Sequence, residues 1–124
     1  MSTILIAEDE SHISHVLSMW LRQHGFEIRQ ARNGLEALEY LRNEGIDLLI
    51  SDMNMPEMDG LQLASAVRTQ LRLEIPIILL SARCDQAELA AELAPFDVRL
   101  YPKPFMPSRL VGEIERFLSV PAGK

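Results

Sequence analysis

The feature that most constrains this chain is a strict alternation of short apolar runs with longer segments of helical periodicity. The apolar runs cover residues 3–7, 26–31, 46–51, 75–81 and 97–101, and apolar residues recur every three or four positions in the segments that follow them. Short runs that are apolar on both faces are typical of strands buried in a parallel sheet. Alternation along a whole chain requires helical crossovers, so the sequence predicts an α/β fold with five strands and five helices.

The polarity of the runs predicts the order of the strands. The first, third and fourth runs are the most apolar and belong at the centre of the sheet, whereas the second and fifth carry more polar residues and suit its edges. The order 2-1-3-4-5 satisfies both conditions. It is the order of flavodoxin-like, doubly wound sheets, in which ligands bind outside the carboxyl ends of the strands. We expect one domain over residues 1–120 and a frayed tail over 121–124.

Composition narrows the classes of partner. The formal net charge of −6 argues against a direct nucleic-acid surface, which normally carries a basic stripe. A single cysteine, Cys84, rules out an intrachain disulfide and is typical of a reducing compartment. No run is long enough to span a membrane, and no basic segment followed by an apolar one opens the sequence. We therefore expect a cytoplasmic protein that binds neither membrane nor nucleic acid directly.

Polar side chains end or follow four of the five apolar runs. Glu8 and Asp9 follow the first run, Asp52 the third and Lys103 the fifth, and Ser81 ends the fourth. Because the carboxyl ends of parallel strands meet at one edge, we expect these side chains to lie together. Three crowded carboxylates favour a hard divalent cation, and oxygen-only ligands suit Mg²⁺. A carboxylate beside Mg²⁺ can act as a nucleophile and form an acyl-phosphate, while a lysine and a hydroxyl satisfy the phosphoryl oxygens.

Four segments resemble the response-regulator receiver domains of two-component signalling: "ILIAEDE", "LLISDMNMPEMDG", "IPIILLSA" and "KPF". The resemblance covers essentially the whole chain. It implies a phosphoacceptor, a magnesium site, a switch hydroxyl and a lysine that pairs with phosphate. These roles fall on Asp52 as the phosphoacceptor, on Asp9 (directly), Glu8 (through water), Asp52 and the Asn54 backbone carbonyl as the Mg²⁺ site, on Ser81 as the switch hydroxyl, and on Lys103 as the lysine.

The resemblance also implies a function. Such a domain receives a phosphoryl group from the phosphohistidine of a histidine kinase or phosphotransfer protein. The modification then switches a surface that binds a downstream protein, which the sequence does not name. A domain of this kind is not an enzyme in the ordinary sense, because it catalyses only its own phosphorylation and dephosphorylation.

Two positions depart from the family pattern. Leu100 stands where the family usually has a tyrosine or phenylalanine that rotates inward on activation. The neighbouring Tyr101 is one place out of register and is predicted to point to the other face of the strand. Glu8 stands where aspartate is commoner, and its longer side chain changes the geometry at a metal.

Two further groups of residues have a structural interpretation. Trp20 lies on the apolar stripe of the first helical segment and is predicted to be a core residue. Met53, Met55 and Met58 flank Asp52, and we predict that they pack the loop rather than form an adaptable docking patch.

Other classes with a carboxylate or phosphate site fit less well. A phosphatase of the haloacid-dehalogenase type would need a second aspartate two residues after its nucleophile, where this chain has Asn54. A flavodoxin would need a phosphate-binding loop where this chain has the acidic "EDE", and no P-loop motif is present. Two alternatives remain open: a degenerate receiver that acts as a phosphorylation-independent adaptor, and a receiver fragment of a larger regulator or hybrid kinase.

Overall fold

The computed structural model describes residues 2–82, 86–103 and 106–119. Cys84 and the predicted tail at 121–124 lie outside these ranges. Within them the elements follow in this order: β1 (Thr3–Ala7), α1 (Ser11–Gln23), β2 (Glu27–Ala31), α2 (Gly34–Asn43), β3 (Leu48–Asp52), α3 (Gly60–Thr69), β4 (Ile77–Ser81), α4 (Gln86–Leu93), a 3-10 helix (Ala94–Phe96), β5 (Arg99–Pro102) and α5 (Pro107–Ser119).

The five strands form one parallel sheet in the order β2-β1-β3-β4-β5, which confirms the predicted topology. Ala7 at the end of β1 pairs with Ser51 in β3, and Ser81 at the end of β4 pairs with Pro102 in β5. The carboxyl ends of the four strands β1, β3, β4 and β5 therefore lie side by side at one edge.

Apolar residues fill both faces of the sheet. One cluster joins the strands to α1 and α5, and another joins them to α2, α3 and α4. Side chains alternate along a strand, so neighbouring residues face different clusters. Leu100 packs against the cluster under α2, α3 and α4, and Tyr101 packs against the cluster under α1 and α5. This confirms the prediction that the two side chains point to opposite faces of β5.

The structural interpretation of the methionines is confirmed, but that of Trp20 is wrong. Met53 is buried, and Met55 and Met58 pack against the core. Trp20 is 37% exposed and stacks on His24, with 6.4 Å between the ring centroids. Helical periodicity locates the apolar stripe of α1 but not its width, and neighbouring positions such as Leu21 occupy the buried part of it.

Candidate functional site

The predicted site residues lie at the carboxyl edge of the sheet. Glu8 and Asp9 come directly after β1, and Asp52 is the last residue of β3. One carboxylate oxygen from each of these three residues lies within 4.8 Å of the other two. Ser81 is the last residue of β4 and is fully buried, and its carbonyl oxygen accepts a hydrogen bond from the Lys103 N–H at 2.8 Å. That bond ties the backbone of Lys103 to the end of β4.

The ammonium group of Lys103 lies between two of the carboxylates. Its Nζ is 2.7 Å from Asp52 Oδ1, a short charged hydrogen bond, and 3.6 Å from Glu8 Oε1. The Glu8 and Asp52 side chains are 1% and 7% exposed, so water screens these interactions weakly. Glu8 Oε2 accepts the Glu10 N–H at 3.2 Å, but Glu8 Oε1 is buried without a hydrogen-bond partner among the described residues.

Burial and like charge shift the protonation of this cluster. Burial raises the pKa of Glu8 to about 7, and the charge of Asp52 adds to the effect while Lys103 opposes it. Burial likewise raises the pKa of Asp52 above its usual range, against the hydrogen bond and charge of Lys103. Burial alone would lower the pKa of Lys103, but the hydrogen bond to Asp52 and the nearby carboxylates outweigh it and raise the pKa. The site carries more negative charge than its lysine can balance.

Asn54, the remaining predicted ligand, lies two residues beyond Asp52 at the start of the loop between β3 and α3, and its side chain is exposed. The backbone around Asp52 is held firmly. The Met53 N–H donates to the Leu80 carbonyl at 2.9 Å, and the Gly60 N–H donates to the Met53 carbonyl at 2.8 Å.

Gly60 is a supporting residue that the sequence reasoning missed. A Cβ at this position would lie 2.8 Å from the Asp52 carbonyl oxygen and 3.0 Å from Met53 Cα. Only glycine lets the first turn of α3 pass this close to the backbone of the aspartate. The available signal was a glycine directly after the helix cap Asp59, where a better helix former would be expected.

The donor set fits a hard divalent cation. It consists of carboxylate oxygens from Glu8, Asp9 and Asp52, which cluster tightly on rigid strand ends. Glu8 Oε1, which accepts no hydrogen bond among the described residues and lies 3.6 Å from the Lys103 ammonium group, is a buried acceptor that a metal ion or a proton would satisfy. Among the described residues, Glu8, Asp9 and Asp52 form the one group of three or more potential ligands whose atoms lie within 4.8 Å of one another.

Comparison with known proteins identifies the family. The family model described as "Response regulator receiver domain" matches residues 4–115. The chain belongs to this family. The receiver domain is 33% identical over 115 residues to the transcriptional regulatory protein SrrA of Staphylococcus aureus, which covers 93% of this chain and 47% of SrrA. It therefore spans about half the length of the curated relatives that it matches.

Solved structures agree with this assignment. The receiver domain of a signal transduction histidine kinase from Syntrophus aciditrophicus is 32% identical, with a TM-score of 0.89 over 100% of this chain and 95% of that one. The chemotaxis protein CheY4 of Vibrio cholerae is 31% identical, with a TM-score of 0.86 over 94% of this chain and 98% of that one. The predicted family and fold are confirmed, and the receiver domain is a signalling module of two-component systems. In the described part of the chain, no helix has the length and apolar character to cross a membrane.

Proposed function

We propose that this receiver domain accepts a phosphoryl group on Asp52 in a reaction that depends on Mg²⁺. The donor is the phosphohistidine of a histidine kinase or phosphotransfer protein. The observation that carries this proposal is the placement of Asp52 at the tip of β3, 2.7 Å from the Lys103 ammonium group and beside two further carboxylates. A rigid strand fixes the nucleophile, whose side chain keeps 7% of its surface exposed for the approach of a donor.

The chemistry is a displacement at phosphorus. An Asp52 carboxylate oxygen forms the new bond to phosphorus, the bond between phosphorus and the donor imidazole nitrogen breaks, and the imidazole leaves with that electron pair. Lys103 then pairs with one phosphoryl oxygen, and the Ser81 hydroxyl donates a hydrogen bond to another. Lys103 already lies 2.7 Å from Asp52 and needs little reorganisation, whereas the Ser81 hydroxyl must move inward to reach the phosphoryl group.

The metal site in this proposal uses Glu8, Asp9, Asp52 and the backbone carbonyl of Asn54. When bound, Mg²⁺ would neutralise the carboxylates and the phosphoryl oxygens that approach them. Burial and the charge of Asp52 raise the pKa of Glu8 to about 7. Only the deprotonated form of Glu8 attracts the cation, so the proton must leave when Mg²⁺ binds. The receiver domain catalyses only its own phosphorylation and dephosphorylation and is otherwise not an enzyme.

The modified domain switches a surface for a downstream protein. We propose that the domain comprises residues 1–120 and that it acts in the cytoplasm, without direct contact with nucleic acid or membrane. The match covers 47% of SrrA, so the alternative that this chain is the receiver unit of a larger regulator is retained.

The test is intact-protein mass spectrometry after treatment with acetyl phosphate, with Mg²⁺ or with EDTA. We expect one added phosphoryl group in the native protein with Mg²⁺, none with EDTA and none in Asp52→Asn. Asp59→Asn is the matched control, because asparagine also caps a helix well and Asp59, the N-cap of α3, is not among the predicted site residues. An adduct that persists in Asp52→Asn would move the phosphoacceptor elsewhere. A native protein that binds Mg²⁺ but gains no phosphoryl group would favour the phosphorylation-independent adaptor.

A further inference from the structure

The loop at residues 53–59, called here the β3–α3 loop, is closed on itself. Its ends are tied by the hydrogen bond from the Gly60 N–H to the Met53 carbonyl at 2.8 Å. Inside the loop, the Met58 N–H donates to the Pro56 carbonyl at 2.7 Å, and the fixed φ of proline stiffens this turn further. The second bond couples Met58 to Pro56, two residues beyond Asn54, so we expect a displacement at Met58 to be passed along the loop to Asn54.

Gly34, the first residue of α2, touches this loop at unusually close range. A Cβ at Gly34 would lie 2.6 Å from Met58 Cβ, 2.8 Å from Met58 Cγ and 2.9 Å from the Met58 carbonyl oxygen. Two of these atoms are fixed by the backbone, so a side-chain rotation cannot relieve the contact. Any residue other than glycine at position 34 would therefore push α2 and the loop apart.

The loop is the softer of the two elements. Helix α2 is anchored in the core by Ala37, Leu38 and Leu41, and its cap Asn33 accepts the Glu36 N–H at 2.8 Å. In the loop, by contrast, Asn54, Pro56 and Glu57 are exposed. Glu57 also has a φ of 70°, a left-handed conformation that costs a residue with a side chain about 1 kcal/mol or more. A clash at Gly34 should thus be relieved by movement of the loop.

We propose that Gly34 is a positioning residue of the phosphorylation site. Its missing side chain lets Met58 dock against the first turn of α2, and this docking sets the position of Asn54, whose carbonyl we assign to the metal. To turn the 2.6 Å contact into an ordinary one, the loop must move by about 1 Å. Mg²⁺ requires near-ideal octahedral geometry, so a shift of that size should weaken its binding. This inference rests on the function proposed above.

The test compares Mg²⁺ dissociation constants, measured by NMR titration of the unphosphorylated protein. Gly34→Ala should weaken Mg²⁺ binding about tenfold or more, since mutating a residue that orients a metal ligand typically costs about ten- to a hundredfold in metal affinity. Gly45→Ala and Gly112→Ala are the matched controls, because a Cβ at either position meets nothing within 4 Å. They should change the dissociation constant less than about twofold. Native-like binding in Gly34→Ala overturns the inference and leaves the proposed function intact, whereas no Mg²⁺ binding in the native protein overturns both.

A second substitution separates positioning from a general loss of stability. Met58→Gly removes the Cβ and Cγ atoms that the new methyl group would strike. The Met58 carbonyl oxygen, 2.9 Å from the new methyl group, remains. Adding Gly34→Ala to Met58→Gly should therefore weaken Mg²⁺ binding clearly less than Gly34→Ala weakens it in the native protein. If Gly34→Ala acted through a general loss of stability, the double variant would instead bind Mg²⁺ more weakly than either single variant. Should Gly34→Ala alone fail to fold, the comparison of Met58→Gly with the double variant decides, and a tenfold loss there overturns the inference.

Discussion

The buried carboxyl of Glu8 makes the stability of the metal-free protein depend on pH. Burial, together with the charge of Asp52, raises the pKa of Glu8 from 4.5 to about 7 in the folded protein. Between these values the folded state holds a proton that the unfolded state has released. The folded state is thus favoured at low pH, and this contribution is lost as the pH rises through about 7.

The size of the effect follows from the two pKa values. At about 1.4 kcal/mol per pKa unit, the difference between 4.5 and about 7 corresponds to about 3 kcal/mol. The Glu8 side chain is 1% exposed, so no large discount for solvent screening applies. Glu8→Gln keeps the shape and removes the charge. It should stabilise the metal-free protein by about 1 kcal/mol at pH 5 and by about 3 kcal/mol at pH 8.

The assay is urea unfolding in EDTA at a series of pH values between 5 and 8, with native protein and Glu8→Gln side by side. The neighbouring Glu10→Gln, at an exposed position, is the control and should leave the pH dependence unchanged. Adding Mg²⁺ should reduce the difference at pH 8, because a bound cation favours the native carboxylate. Parallel pH profiles for native protein and Glu8→Gln would refute the reasoning, since they would mean that Glu8 carries the same charge in both states.

Two further predictions concern α1 and β5. Ser18 is fully buried, and its hydroxyl has no hydrogen-bond partner among the described residues, so Ser18→Ala should raise the free energy of unfolding by about 1 kcal/mol. Ser14→Ala is the contrasting control, because Ser14 Oγ accepts a hydrogen bond from Gln30 at 2.8 Å, and its loss should destabilise. Leu100 lacks an aromatic ring that could fill space vacated by a switch hydroxyl. We therefore expect beryllofluoride to shift NMR signals across α4 and β5 less in the native protein than in Leu100→Tyr, and a full native shift that the variant does not exceed would contradict this.

The strand order could be predicted from the sequence, but the starts of two central strands could not. The runs at 46–51 and 75–81 correspond to β3 at Leu48–Asp52 and β4 at Ile77–Ser81. Apolar character predicts burial, and Ile46 is indeed buried, although it precedes the strand. Membership of a strand also requires a backbone partner, and Pro76 has no N–H to donate to one. The apolar composition of a run predicts its burial but not its backbone pairing.

The approach to β5 was predicted least well, because a distant residue organises it. The sequence suggested a strand at 97–101, but the chain forms a 3-10 helix at Ala94–Phe96 and then β5 at Arg99–Pro102. The guanidinium of Arg68 in α3 holds this turn. It donates hydrogen bonds to the carbonyl oxygens of Leu73, Ile75, Phe96 and Asp97. A contact between residues 28 positions apart leaves no local pattern in the sequence.

The site shows the same division between what spacing specifies and what packing decides. Motif spacing predicted that Glu8, Asp52 and Lys103 would meet, because each ends or follows a strand whose place in the sheet was predicted. It did not predict that Lys103 would lie 2.7 Å from Asp52 but 3.6 Å from Glu8. That asymmetry gives Asp52 the charged hydrogen bond and leaves Glu8 Oε1 without one among the described residues. A buried acceptor in that position needs either a proton or a cation. Because the ionised form of Glu8 favours the cation and a pKa of about 7 leaves about half of the Glu8 carboxyls protonated at pH 7, each metal ion bound there should displace about half a proton on average.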